Sequence, residues 1–307
     1  MTTTKEYLTY CDGKNELPER AFRISASSFS NFIITPWNWY RQQILELDKF
    51  EGSTASVIGT IVHAVAAMKA QNTEPDLAEI EQYIDNQRGN IDVDTYTVEE
   101  SWRNMAMKLV NDYVLPNQKF YTSVEEFITY NLGDNIYVGG SIDAIQSELK
   151  TYNLNGFNIT QEEYDKLSLE EQNACTLSST SGMIVDYKTY NLATKPKSIP
   201  SYYKQQLLVY AWVLKKLGRT MDRIRLVYIS REQDTRRISE KTGKAIGKLT
   251  PPELTVLTED IQQSDLDFIE SQIMLCKEKL LVDKDYPHMR RVIWHDPRYD
   301  DEGNVKE

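Results

Sequence analysis

The sequence predicts an α/β fold in which a mixed central sheet, in the order α-β-β-β-α-β, is flanked by helices and preceded by an added helical N-terminal region. Three observations carry this. Apolar residues recur at helical spacing through much of the first 125 positions, the spacing changes to a strand-like alternation at about residue 126, and a strand, a helix and a strand follow between residues 182 and 230. The last order is a crossover, which normally joins parallel strands with a right-handed connection. Three regions are expected: helices over 1–125, a sheet with its helix over 126–230, and a basic hairpin or loop with a C-terminal helix over 231–307 packed on the rest. An insertion at 148–181 interrupts the middle region.

In ISASSFSNFIITPWNWYRQQILEL (24–47), Ser25 or Ser27 can cap a helix, Pro36 interrupts it, and Trp37, Trp39 and Tyr40 make an aromatic cluster, so two short helices with a proline joint are expected. STASVIGTIVHAVAAMKAQ (53–71) is small and apolar behind a Ser or Thr cap, as a buried helix with His63 in its middle. Residues 76–89 and 97–121 carry charge on one side and apolar groups on the other, as amphipathic helices do. EFITYNLGDNIYVGGSIDAIQ (126–146) reads as a hairpin about a Gly-Asp-Asn turn, and its Gly139-Gly140 pair as a bulge or a close backbone approach. GMIVDYKTY (182–190) is a third strand. SYYKQQLLVYAWVLKKLG (201–218) is a helix with Leu207, Ala211, Leu214 and Leu217 as its core face and Gly218 as its stop; IRLVYIS (224–230) is a strand. SDLDFIESQIMLCKEKLLV (264–282) is one more helix, and the polar tail after Pro297 is expected to fray.

Composition narrows the class. No stretch approaches the roughly 20 apolar residues of a membrane span and the N-terminus lacks the apolar core of a signal peptide, so a cytoplasmic location with no membrane partner is expected. Cys11, Cys175 and Cys276 show no metal-knuckle or disulfide spacing and read as ordinary thiols. The net charge of −11 argues against a surface coated for nonspecific nucleic-acid binding but leaves room for a local basic groove. Positive charge gathers in residues 231–248, where Arg231, Arg236, Arg237, Lys241, Lys244 and Lys248 outnumber Glu232, Asp234 and Glu240. That segment is either a phosphate contact or a solvated excursion.

The chemistry-bearing residues sit in the apolar elements. In IVDYKT, Asp186 and Lys188 are two apart on a strand and share a face, while Tyr187 points the other way. Taken alone this is a salt-bridged strand end. In VGGSIDAI, however, Asp143 occupies the neighbouring strand, and two adjacent strands offering carboxylates suit a hard divalent cation, which also relieves their repulsion. His63 is a candidate third ligand, although a lone histidine in an apolar helix is more often a satisfied core residue. Gln206 and Tyr210 lie one helical turn apart on one face.

The order of helix with His, hairpin with Asp, strand with Asp-x-Lys and helix with Gln-x-x-x-Tyr resembles the PD-(D/E)XK nuclease superfamily, in particular its RecB-like exonuclease branch, which includes CRISPR adaptation nucleases and many phage exonucleases. The matching pieces are SASSFSNFIITPWNWY, IGTIVHA, GGSIDAI, VDYKT and QQLLVYA, from about Ser25 to Ile229. The resemblance implies a restriction-endonuclease-like core and a metal-dependent deoxyribonuclease, most simply an exonuclease of recombination, repair or phage DNA processing in a bacterial or phage-infected cell. A structure-selective endonuclease and a non-catalytic nucleic-acid-binding module of the same fold are the alternatives. It assigns His63, Asp143 and Asp186 to Mg²⁺ or Mn²⁺, Lys188 to catalysis, and Gln206 and Tyr210 to orienting the site and the nucleic-acid strand; Arg231, Arg236 and Arg237 are candidate phosphate contacts. The substrate expected is single-stranded DNA or duplex ends, and a helicase, annealing protein or single-strand-binding protein is a possible partner by analogy. Many members of the branch hold a 4Fe-4S cluster through a cysteine before the first-motif proline and three more near the C-terminus. Here Thr35 precedes Pro36 and YPHMRRVIWHDPRY has no cysteine, so no iron-sulfur cluster is expected and packing around Trp37, Trp39 and Trp294 is expected to replace it.

Overall fold

The computed structural model describes residues 3–8, 17–19, 21–47, 52–88, 95–159, 161–164, 166–190, 195–231, 233–234, 237–238 and 245–294. A short helix α1 (Thr4–Leu8) and a strand β1 (Phe22–Ser25) come first. A 3-10 turn at Ala26–Ser28 leads into α2 (Phe29–Ile34) and α3 (Pro36–Gln43), followed by α4 (Thr54–Ala70), α5 (Leu77–Arg88) and α6 (Thr95–Leu109). The hairpin of β2 (Tyr121–Gly133) and β3 (Ile136–Leu154) is next, then β4 (Phe157–Ile159), α7 (Gln161–Tyr164), α8 (Leu169–Ala174) and β5 (Thr176–Tyr190). Helix α9 (Ser201–Lys216) crosses from β5 to β6 (Arg223–Ser230). The two-residue strands β7 (Gln233–Asp234), β8 (Arg237–Ile238), β9 (Ala245–Ile246) and β10 (Leu249–Thr250) pair as the rungs of a hairpin. Strand β11 (Leu254–Asp260), α10 (Gln263–Asp285) and α11 (Arg290–Trp294) complete the described chain.

The main sheet runs β1-β3-β5-β6-β11, with β2 paired to β3. Strands β5 and β6 are parallel, as their α9 crossover requires, while β11 runs antiparallel to β6. Because β2 holds one edge of β3 from Ile136 to Gln146, β1 and β5 must share the other. Strand β1 takes Ile136 to Gly139, and β5 begins only at Ala144. Gly140 to Asp143 are therefore left without a strand neighbour on that edge, and the gap is where the functional groups gather.

Helices cover both faces of the sheet. On one face α2, α3, α9, α10 and α11 enclose a core that includes Ile24, Phe29, Trp39, Leu207, Leu226, Ile269 and Trp294. On the other, α1, α4, α5 and α6 pack with Ile58, Val62, Ile84, Leu109, Val185, Tyr187 and Val227. Ser53 caps α4 by accepting from the Ser56 N–H at 3.2 Å while its own N–H donates to Ser56 Oγ at 2.8 Å. The hairpin turn uses Asp134 and Asn135, both with left-handed φ near 57–59°, as a two-residue connection between right-twisted strands demands. Gly139 resolves the glycine pair as a close approach: a Cβ there would lie 2.0 Å from the Ile128 carbonyl oxygen.

Several expectations are corrected. Ser25 and Ser27 do not cap α2 but sit with their hydroxyls 3.0 Å apart, and Ser25 is the last residue of β1, a strand too short to show an alternation. Leu217 is 48 % exposed; the buried run of α9 is instead continuous from Gln206 to Leu214, because sheet and α10 enclose the helix on two sides. The stretch read as an insertion is in part a continuation of the ladder, since β3 and β5 stay paired out to Asn153 and Thr176. The strand β11, an edge of the sheet, was not foreseen. Cys11, Arg236 and the tail after Pro297 lie outside the described residues, as does the side chain of Arg237.

Candidate active site

Beyond Ala144 and Val185, strands β3 and β5 part. Asp143 fills the opening, and its Oδ2 accepts the Tyr187 backbone N–H at 2.7 Å, so a side chain replaces the ladder bond that the divergence removes. His63, on the α4 helix above, places Nδ1 3.4 Å from the same oxygen and packs edge-on against Tyr187 at 6.0 Å. One strand over, Asp186 is 3 % exposed. The Lys188 ammonium donates to its Oδ1 at 2.8 Å and lies 2.7 Å from its Oδ2, and sits over the Tyr203 ring at 5.2 Å. Gln206 Nε2 reaches Asp186 Oδ1 at 3.3 Å and the Tyr210 hydroxyl at 3.4 Å, and that hydroxyl abuts Gly140, where a Cβ would come within 3.3 Å of it. Small residues at 139–141 thus let α9 and β2 close on β3.

These groups border one cavity of about 700 Å³, lined among others by His63, Glu125, Asp143, Lys188, Gln206 and Tyr210. Asp186 lies beneath Lys188. Of the residues anticipated from sequence, His63, Asp143, Asp186, Lys188, Gln206 and Tyr210 come together here. Arg231 does not; it stands at the end of β6, its N–H donating to the Tyr190 carbonyl at 2.9 Å. Glu125 of β2 was missed. It faces the cavity with a left-handed backbone, φ 52°, whereas Glu126 is bound to Arg219. The paired acids in VEEF were the available signal, since one of any two neighbours on a strand must take the inner face.

The electrostatics are unbalanced. Burial alone pulls His63 down, but the Asp143 carboxylate outweighs it and the imidazole stands above the usual histidine range. Burial likewise pushes Asp143 up, yet His63 and Lys188 hold it below the ordinary carboxylate value. At Asp186, burial together with Asp143 prevails over Lys188 and lifts the carboxyl to about 6. Glu125 is pushed up to about 8 by burial and then by Asp143 and Asp186. Three acids thus face one ammonium and one imidazole.

That donor set fits a divalent cation. It is rich in hard oxygens, it has excess negative charge, and Asp186 Oδ2 is buried without a directed hydrogen bond although the ammonium is near. Among the described residues no three such side chains are drawn close enough to enclose an ion as they stand. The reason lies in the pairing: Lys188 covers Asp186, and His63 turns to Asp143.

A sequence model of the PD-(D/E)XK nuclease superfamily matches residues 23–154 and 177–287. The chain belongs to that superfamily. Its matched span omits 155–176, the connection from β3 to β5 that carries β4, α7 and α8. No curated protein sequence matches the chain. Among solved structures it is similar to a candidate exonuclease from Eubacterium rectale, at 13 % identity over 95 % of this chain and 86 % of that one, with a TM-score of 0.43. It is also similar to the alkaline exonuclease LHK-Exo from Laribacter hongkongensis, at 10 % identity over 77 % of this chain and 97 % of that one, with a TM-score of 0.31. The same enzyme in complex with dAMP aligns at 11 % identity over 74 % and 91 %, with a TM-score of 0.32.

Proposed function

We propose that this protein is a metal-dependent deoxyribonuclease acting as an exonuclease on single strands or duplex ends. The observation that carries the reading is the meeting of Asp143, Asp186 and Lys188 at the gap in the β3 edge, inside the fold of a nuclease superfamily. Asp143, Asp186 and His63 would hold Mg²⁺ or Mn²⁺, which when bound neutralises the phosphate and acidifies a water. Lys188, two residues from Asp186 on the same strand face, presents its ammonium to the oxygens of the attacked phosphate, where charge grows in the transition state. Tyr203 beneath that ammonium and Asp186 beside it fix its position. Gln206 orients Asp186, and Tyr210 orients Gln206. Glu6 and Tyr7 of α1, which packs on the His63 helix, also line the cavity.

End-labelled single- and double-stranded DNA, incubated with Mn²⁺, with Mg²⁺ or with EDTA, tests this directly. Stepwise loss of nucleotides from linear substrates, absent with EDTA and absent on closed circles, is expected. Cutting of closed or flapped circles would make the protein an endonuclease. Intact DNA under every metal condition would leave a nucleic-acid-binding module of this fold.

A further inference from the structure

Past the acids, the sheet face that carries Asp186 and Lys188 turns aromatic. Tyr190 stands two residues beyond Lys188 on β5 and shares its face, and Tyr228 lies opposite Lys188 in the parallel register of β6. Tyr190 and Tyr228 meet edge-on at 5.1 Å, Tyr228 and Tyr203 at 5.8 Å, and Tyr203 and Tyr202 at 4.1 Å. Four rings therefore run without a break from the sheet to the first turn of α9. The Lys188 ammonium sits over one of them, Tyr203, which lines the cavity. Tyr190 and Tyr228 are buried and Tyr203 is half-buried, whereas Tyr202 is 46 % exposed. The Tyr202 hydroxyl hydrogen-bonds to Tyr203 and Tyr228, so its polar end is turned inward and the ring is what solvent meets. An exposed tyrosine ordinarily does the reverse, wetting its hydroxyl and laying its ring on the protein. Nor is the neighbouring surface prepared for a phosphate, since Lys204 is paired with Glu259 and Asp265. What stands beside the catalytic ammonium is a bare, anchored ring, and the chemistry that matches it is a flat, uncharged π system.

We propose that Tyr202 is a stacking platform for a nucleobase of an unpaired DNA strand whose phosphate sits at Lys188. The proposal rests on the nuclease reading for its substrate and narrows it: bases in a duplex are already stacked on one another, so the platform selects single strands and frayed ends. Stacking is indifferent to sequence, because every base has a π face, and this suits an enzyme that shortens any strand. Binding of a fluorescein-labelled single strand and of a blunt duplex is measured by anisotropy, with Ca²⁺ in place of Mn²⁺. The full chain is compared with Tyr202→Phe, Tyr202→Leu and Tyr202→Ala, each checked for folding by thermal melting. Tyr202→Phe keeps the ring and should bind the single strand as wild type does. Tyr202→Leu keeps only apolar bulk; it and Tyr202→Ala should bind the single strand on the order of tenfold more weakly, with the duplex unchanged. Single strands with an abasic position moved inward from either end then locate the base: at one position wild type should lose that same factor and Tyr202→Ala nothing more. A merely structural tyrosine would weaken single strand and duplex alike, and its loss would add to every abasic loss. A wild type that binds no single strand, a Tyr202→Ala that binds it undiminished, or losses that add at every position overturns the proposal. If stacking is found and no strand is cut with Mn²⁺, the nuclease reading fails and the platform stands; if strands are cut and Tyr202→Ala binds as wild type does, the platform fails and the nuclease reading stands.

Discussion

Two buried aspartates divide this molecule. Asp283, 6 % exposed on α10, receives the Tyr40 hydroxyl at 3.3 Å, the Trp294 indole N–H at 3.3 Å and Arg290 Nε at 3.2 Å. Around it Tyr40 and Trp294 stack at 4.7 Å, Trp39 lies 5.8 Å from Trp294, and Trp37 stacks on Tyr40 at 5.7 Å. Asp186, equally hidden, has one lysine and one glutamine, an oxygen without a directed bond, and acids for neighbours. A buried carboxylate surrounded by donors fastens chain to chain. One short of donors stores unfavourable electrostatic energy that a proton or a cation relieves.

Substitutions at the two aspartates and their partners separate the two roles. Lys188→Ala should slow DNA cleavage on the order of 10²–10³-fold while Mn²⁺ still binds, and Asp186→Ala should abolish both, by single-turnover assay and calorimetry. A fully active Lys188→Ala would remove the site from the catalytic reading. On the other side, Trp294→Ala should cost about 3–5 kcal/mol in denaturant unfolding and leave metal affinity unchanged. A stability close to wild type would show that the aromatic clasp fastens nothing.

A graded effect sharpens the contrast through pH. Asp186 and Glu125 are raised to about 6 and about 8, so the fold binds their protons more tightly than the unfolded chain does. Their contribution is complete below the unfolded carboxylate value of about 4 and is lost as pH climbs through 6 and then 8. His63, also raised, acts in the same direction. Asp143, lowered, contributes above the unfolded value and loses its contribution only in stronger acid. The metal-free unfolding free energy should therefore fall between pH 5 and 9, by on the order of 5 kcal/mol, and Mn²⁺ should flatten the profile. A flat metal-free profile would mean that the acids are balanced after all. Smallest of all, Arg231→Ala should weaken DNA binding modestly and reduce the salt slope by about 1 if it meets a phosphate.

The sequence made the most of the site legible because its parts are local. Asp186 and Lys188 share a strand face and Gln206 and Tyr210 share a helical turn, whereas His63 was singled out only by the resemblance, since its apolar helix fits a core histidine as well. The packing together of Trp37, Trp39 and Trp294 was also readable, and Tyr40 carries the contact between Trp37 and Trp294. What stayed hidden depends on partners distant in the chain. Strand β1, four residues long, is a strand only because β3 lies beside it in parallel, and Leu217 was misplaced because the burial of α9 is set by α10. Glu125 was unreadable for a subtler reason: choosing between two adjacent glutamates required a backbone angle, and angles of that kind arise from the assembled ladder.

Gly139 touches no proposed ligand, yet it governs how near β2 can come to β3, since any side chain there would collide with the Ile128 carbonyl. Four residues further along the same pair of strands stand Glu125 and Asp143. Widening the seam at one end would splay its other end, so a methyl group added about 13 Å from the chemistry acts as a wedge on the distance between two acids. The tolerance of the reactive centre is thus set at a place with no reactive group of its own.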